Sequence, residues 1–147
     1  MSHFHSRKLE GPTTSELEQI LDLYEAAGWW KPTRPDDIQT LQQMIANSYE
    51  IWIIESTEAG IVGMARVLGD GISDVYIQDV IILPKFRHQK LATELISTIT
   101  KNLTQAGIDF IGLIAEQNTK DLYLSCGFKP MLNSCPMRYQ RKIHEAR

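Results

Sequence analysis

The stretch Ile81-Ile82-Leu83-Pro84-Lys85-Phe86-Arg87-His88-Gln89-Lys90-Leu91-Ala92 concentrates the chemistry-bearing residues of this chain. An aliphatic run stops at a proline, a short basic loop follows, and a helical pattern begins at once. A helix start exposes N–H groups without intrahelical partners and carries a partial positive charge, so it takes up phosphate. Lys85, Arg87, His88 and Lys90 add side-chain donors on the same loop. The spacing describes a pyrophosphate cradle; a solvated basic turn has the same composition. Other chemistries find no support. His3, His5, His88 and His144 lack metal-ligand spacing, so no metal is expected. There is no Ser-His-Asp arrangement and no Walker loop. Cys126 and Cys135 are the only cysteines, too few for a disulfide framework.

The elements that must hold this loop can be read from periodicity. The first ten residues accommodate a short strand. Ser15 and Glu18 have capping-box spacing, and Leu17, Ile20, Leu21, Tyr24 and Ala27 follow at helical intervals until Gly28. A second helix is expected from Pro35-Asp36-Asp37, with Ile38, Leu41 and Ile45 as its apolar stripe. Tyr49 to Ile54, Ile61 to Leu68 and Asp74 to Leu83 read as strands, the last two joined by a turn at Gly69-Asp70-Gly71. A long helix is expected from about His88 to Gln105, with Leu91, Leu95, Ile96, Ile99 and Leu103 on one face and Gly107 beyond its end. Phe110 to Ala115 is wholly apolar, which predicts a strand buried on both faces. Thr119 to Cys126 suits a short helix, and the remainder to about Gln140 one or two strands. The sum is an α/β fold: a mixed, mostly antiparallel sheet flanked by helices.

Composition sets the outer bounds. The chain has 147 residues, 43% hydrophobic and 22% charged, ordinary values for one globular domain spanning 1–147. Its formal net charge of −3 argues against nucleic-acid binding and against an anionic membrane surface. No apolar run approaches the roughly 20 residues that span a bilayer. Met1 to Ser6 lacks the apolar stretch of a signal peptide, so a cytoplasmic protein is expected.

With those elements placed, the chain resembles the GNAT superfamily of acyl-CoA-dependent N-acyltransferases. The family pattern is a hydrophobic strand, then x-P-x-x-[RQ]-x-x-G-x-[GA], then a long amphipathic helix. Pro84, Arg87 and Ala92 match in register, while Lys90 stands where the family usually has glycine. Leu122-Tyr123-Leu124-Ser125-Cys126-Gly127-Phe128 is similar to the family's Y-x-x-x-G-F segment. Glu116 stands where the family often has asparagine, seven residues before Tyr123. The resemblance covers roughly Tyr49 to Tyr139. Shorter strings look like a small-substrate bacterial subgroup: Asn47-Ser48-Tyr49, Arg66 with Gly69-Asp70-Gly71, and Tyr76-Ile77-Gln78-Asp79.

The resemblance implies acetyl-CoA as co-substrate and a sheet splayed where it binds. Backbone groups of Ile82 and Leu83 would meet the pantetheine arm, and Arg87, His88, Gln89, Lys90, Leu91 and Ala92 would hold the pyrophosphate. Tyr123 would reprotonate the CoA thiolate, its alternative being an amphipathic residue packed under the sheet. The proton acceptor is left open between Asp79, Glu116 and an amine that arrives neutral, and the alternative for Asp79 is a structural hydrogen bond near a bulge. Period-two alternation puts Tyr76, Gln78, Val80 and Ile82 on one face of their strand and Asp79 with Val75, Ile77 and Ile81 on the other, unless a bulge intervenes. Tyr76 and Gln78 match positions where the family commonly has its base, and since neither is a good base, the resemblance implies that they bind the acceptor. Trp29 and Trp30 follow a helix-ending glycine, where aromatic faces can receive a cation or plug a core edge. The expected activity is acetylation of a small-molecule primary amine by direct attack in a ternary complex. The rival is a non-catalytic CoA-binding or protein-interaction module. A homodimer built from the late strands is a family-level expectation.

Overall fold

The computed structural model describes residues 2–31 and 37–141. The elements are β1 (Phe4–Lys8), α1 (Thr14–Ala26), α2 (Asp37–Ala46), β2 (Glu50–Ser56), β3 (Gly60–Gly69), β4 (Asp74–Ile82), α3 (Leu91–Gln105), β5 (Phe110–Leu113) and α4 (Lys120–Ser125). They build one five-stranded sheet in the order β1-β2-β3-β4-β5. β1 to β4 pair antiparallel, and β5 joins β4 in parallel. A parallel neighbour requires a crossover, and α3 supplies it. This is the mixed α/β architecture expected from the order of patterns.

Both faces of the sheet are covered. On one, Trp52, Ile54, Val62, Val67, Val75 and Ile77 pack with the α3 stripe Leu91, Leu95, Ile96, Ile99 and Leu103. On the other, Ile51, Ile53, Met64 and Ile81 pack with Leu17, Ile20 and Leu23 of α1 and Leu41 of α2. The β3–β4 turn holds Gly69 at φ 149, and a Cβ there would lie 2.2 Å from the Asp74 carbonyl oxygen. That contact restricts the position to glycine.

Several boundaries differ from the sequence reading. The capping box of α1 is Thr13 with Glu16, not Ser15 with Glu18. Both pairs have the spacing, but Arg7 of β1 donates to Glu16 at 2.6 Å and fixes that carboxylate at the helix start. Pro35 and Asp36 lie outside the described residues; α2 is described from Asp37. α3 starts at Leu91 rather than His88, because Pro84–Phe86 form a separate 3-10 turn and His88 and Lys90 are left-handed. β5 is an edge strand, half-buried at Phe110, Ile111 and Leu113, so its apolar run does not signal burial on both faces. Residues 128–141 hold no strand.

Candidate active site

β4 and β5 are paired only from Asp74↔Phe110 to Ile77↔Leu113. β5 then stops, while β4 runs on to Ile82. Beyond Ile77 that side of β4 therefore has no strand partner among the described residues. A cavity of about 400 Å³ lies there, lined among others by Trp29, Tyr76, Gln78, Asp79, Glu116 and Tyr123. Residues from the turn after α1, the middle of β4, the loop after β5 and α4 thus meet in one cleft.

Asp79 reaches that cleft through a β-bulge. Arg66 faces Gln78 and Met64 faces Ile81, so β4 carries one residue more than β3 over this stretch. Asp79 absorbs the extra residue at φ 52, a conformation Asp tolerates better than most residues. The bulge reverses the expected alternation beyond Gln78. Val75, Ile77, Val80 and Ile82 pack on the α3 side, and Ile81 packs on the α1 side. Asp79 also meets α1: its Oδ2 accepts from the Tyr24 hydroxyl at 2.7 Å and from Arg66 Nε at 2.8 Å. Burial, and then the bond to Asp79, push the Tyr24 hydroxyl well above the ordinary range, so it stays protonated and donating. Sequence reasoning quoted Tyr24 and Arg66 without joining them to Asp79. The available signal was that a half-buried carboxylate needs partners.

Tyr123 is buried at 8% exposure and lines the cleft. The Phe128 ring meets it edge-on at 5.9 Å. Burial, with the nearby Cys126 and Glu116, pushes its hydroxyl up to about 12, so it carries its proton at neutral pH. The tryptophan pair divides between the two readings. Trp30 contacts Tyr24 at 5.7 Å and packs against the α1-side core, whereas Trp29 is 49% exposed and lines the cleft.

The cradle lies at the far end of β4. The Leu83 N–H donates to the Val62 carbonyl at 2.9 Å, and the Leu83 carbonyl accepts from the Phe86 N–H at 2.9 Å and keeps a second lone pair. The Ile82 carbonyl accepts from Arg87 Nε at 3.1 Å, which folds Arg87 back over the strand end. Lys90 is the N-cap of α3 at φ 61 and makes no side-chain cap bond. The helix start therefore keeps its free N–H groups beside Lys85, Arg87, His88 and Lys90, all four exposed. An uncapped helix start ringed by cations fits a pyrophosphate. The left-handed backbone at Lys90 also explains the glycine usual there.

Comparison with known proteins bears on the family and the fold. The family described as an acetyltransferase (GNAT) domain matches residues 19–140. A ycf52-like N-acetyltransferase of Prochlorococcus marinus is 30% identical over 129 residues, covering 84% of this chain and 68% of that protein. The chain spans about half the length (50% and 52%) of two plant relatives that it matches at 28% identity. A GNAT-family protein of Streptococcus pneumoniae superposes with a TM-score of 0.74 at 25% identity, covering 97% of this chain and 99% of that one. A predicted acetyltransferase of Clostridium acetobutylicum, solved with acetyl-CoA, superposes with a TM-score of 0.69 at 18% identity, covering 92% and 96%. The chain belongs to the GNAT acetyltransferase family. It is an acetyltransferase by class, and acetyl-CoA is the donor that this family uses.

Proposed function

We propose that the chain, acting as one unit over 1–147, transfers an acetyl group to the primary amine of a small molecule by direct attack in a ternary complex. The observation that carries this reading is the convergence of Asp79, Tyr123, Trp29, Tyr76 and Gln78 on the cleft where β4 and β5 part. Arg87, His88, Gln89 and Lys90, with the amides of Leu91 and Ala92, hold the pyrophosphate, and Ile82 flanks the pantetheine arm. Bound acetyl-CoA supplies an activated acetyl thioester. Trp29 and Tyr76 offer ring faces to the amine's apolar or cationic part, and Gln78 orients it. Asp79, fixed through Oδ2 by Tyr24 and Arg66, takes the proton that the amine loses, directly or through water. Tyr123 donates its proton to the departing sulfur.

Tyr123→Phe tests the assignment. The hydroxyl is removed while the ring keeps its place against Phe128. General acids contribute about 10²–10⁴-fold, so kcat on a responsive amine should fall within that range. Acetyl-CoA affinity by isothermal titration should hold. An unchanged kcat would remove Tyr123 from the acid role. The non-catalytic reading draws on Lys90, a side chain where the family has glycine. Retained acetyl-CoA binding by the parent without turnover on a broad amine panel would select it.

A further inference from the structure

Two carboxylates line the cleft, and the fold treats them differently. Asp79 is offset by Arg66, whose Nε lies 2.8 Å from Oδ2, and the same oxygen accepts from the Tyr24 hydroxyl at 2.7 Å. Glu116, in the loop after β5, is exposed. Its main-chain carbonyl accepts from Thr119, but its carboxylate has no hydrogen bond or ion pair with a described residue. The charge is nonetheless felt at the Tyr123 hydroxyl, which Glu116 helps to push up. Among the described residues, no lysine, arginine or histidine lines the cleft. With Asp79 offset, Glu116 leaves the cleft one uncompensated negative charge.

The rings beside it suit a cation on a narrow chain. Tyr76 is 48% and Trp29 49% exposed. The Tyr76 ring sits 5.6 Å from that of Phe110, over Gly112, where a Cβ would come within 3.2 Å of Tyr76 Cε1 and 2.7 Å of Phe110 Cε1. Trp29 is pinned by its N–H, which donates to the Tyr24 carbonyl at 3.0 Å. Both rings are thus held in place while half exposed at the cleft, and aromatic faces attract cations. The volume of about 400 Å³ lies near the small end of ligand pockets, roughly 300–1,000 Å³.

We propose that the acceptor is a linear aliphatic diamine or polyamine, held by Glu116 through its far ammonium while Trp29 and Tyr76 flank its methylene chain. This rests on the acetyl-transfer reading of the cleft. A charged far end also helps the near amine to react, because a like charge on the same molecule disfavours its protonation. The neutral near nitrogen forms its bond to the acetyl carbonyl carbon, and the carbon–sulfur bond breaks. Asp79 takes the proton that nitrogen loses, and Tyr123 gives its own to sulfur. Solvent water returns a proton from Asp79 to Tyr123, and the far ammonium keeps its proton throughout. Glu116 therefore selects the acceptor rather than serving as the base. A plain alkylamine would leave it unpaired, and an amine bearing a carboxylate or phosphate would meet a like charge.

Steady-state kinetics on 1,5-diaminopentane, pentylamine and 5-aminopentanoate, amines of one chain length, test this on the parent, Glu116→Gln and Glu116→Lys. The parent should prefer the diamine to pentylamine by about tenfold in kcat/KM, the worth of a cation near aromatic faces plus one ion pair. Glu116→Gln should raise KM for the diamine about three- to fivefold with kcat kept, as expected for one solvent-exposed pair. Glu116→Lys should turn the preference toward 5-aminopentanoate. The side chain is exposed and unbonded, so both variants should keep the parent's melting temperature. The same amines titrated into the chain, with and without CoA and followed by tryptophan fluorescence, read binding without turnover. Equal preference of the parent for diamine and pentylamine overturns the proposal. So does a Glu116→Gln loss that falls equally on both amines or on kcat alone. A parent that acetylates no amine defeats the acetyl-transfer reading, and the titrations then decide by themselves whether Glu116 anchors an ammonium.

Discussion

Lys90 holds an unfavourable backbone state at the entrance to the longest helix. At φ 61 and ψ 16 it is left-handed, which costs a residue with a Cβ about 1–2 kcal/mol. Glycine there would remove that cost and add about 0.5–1 kcal/mol of extra unfolded-state entropy. Relief is the larger effect, so Lys90→Gly should stabilise the chain by about 0.5–1 kcal/mol, read as a raised urea midpoint at constant slope. A lowered midpoint would mean that the lysine side chain makes a stabilising contact. The basic loop after Pro84 and the segment around Tyr123 were legible in the sequence as matches to the family pattern, and Tyr76, Gln78 and Trp29 line one cleft with Tyr123. The face of Asp79 was not legible. Alternation is a property of one strand, whereas a bulge is a mismatch between two, set here by how β3 and β4 count between Arg66 and Met64. The split of Trp29 from Trp30 was likewise hidden, because it depends on where Tyr24 lies.

Elements are tied together by local ion pairs, and β1 gives the clearest case. This outer strand is clamped by Arg7, which binds Glu55 of β2 at 2.9 Å through Nε and Nη2 and Glu16 of α1 at 2.6 Å. The Thr13 amide and then Arg7 hold Glu16 below the ordinary carboxyl range, and Arg7 holds Glu55 below it. A carboxylate depressed in the folded state adds stability above its unfolded value of about 4.3, and that stability is lost as pH falls through the folded value. Arg7 and Glu55 are about one-third exposed (33% and 34%), so solvent screens the pair. Arg7→Met should cost about 1 kcal/mol at pH 7 and flatten the decline in stability below about pH 4. Urea melts at pH 7 and pH 3.5 measure both; parallel acid declines in parent and variant would detach Arg7 from the acid sensitivity. Helices and inner strands were readable because their apolar periods run long. The one or two strands expected in the remainder to about Gln140 are absent among the described residues, because period two in Met137 and Tyr139 specifies a strand without supplying the neighbour that makes one.

At the scale of the whole molecule, one sheet serves two cores. Consecutive residues of β2 point to opposite sides: Ile51 and Ile53 meet α1, and Trp52 and Ile54 meet the α3 side. Neither helical layer can leave without exposing alternate residues of the same strands, so the two cores should melt as one. Ile20 of α1 and Ile99 of α3 are both fully buried at 0% exposure, on opposite sides of the sheet. Each truncation to alanine should cost about 2–5 kcal/mol, from lost burial and the cavity left behind. Against a total of about 5–15 kcal/mol, either loss is large enough to reveal a separable layer. If the sheet couples the layers, Ile20→Ala and Ile99→Ala will each shift a single denaturant transition, with fluorescence and circular dichroism coincident. The two residues share no partner, so the double variant should lose the sum of the single losses within about 0.5 kcal/mol. A biphasic melt in one variant alone would show that its layer detaches. The cleft would then rest on the other, because Asp79 is anchored from the α1 side by Tyr24, whereas Tyr123 packs with the α3-side core.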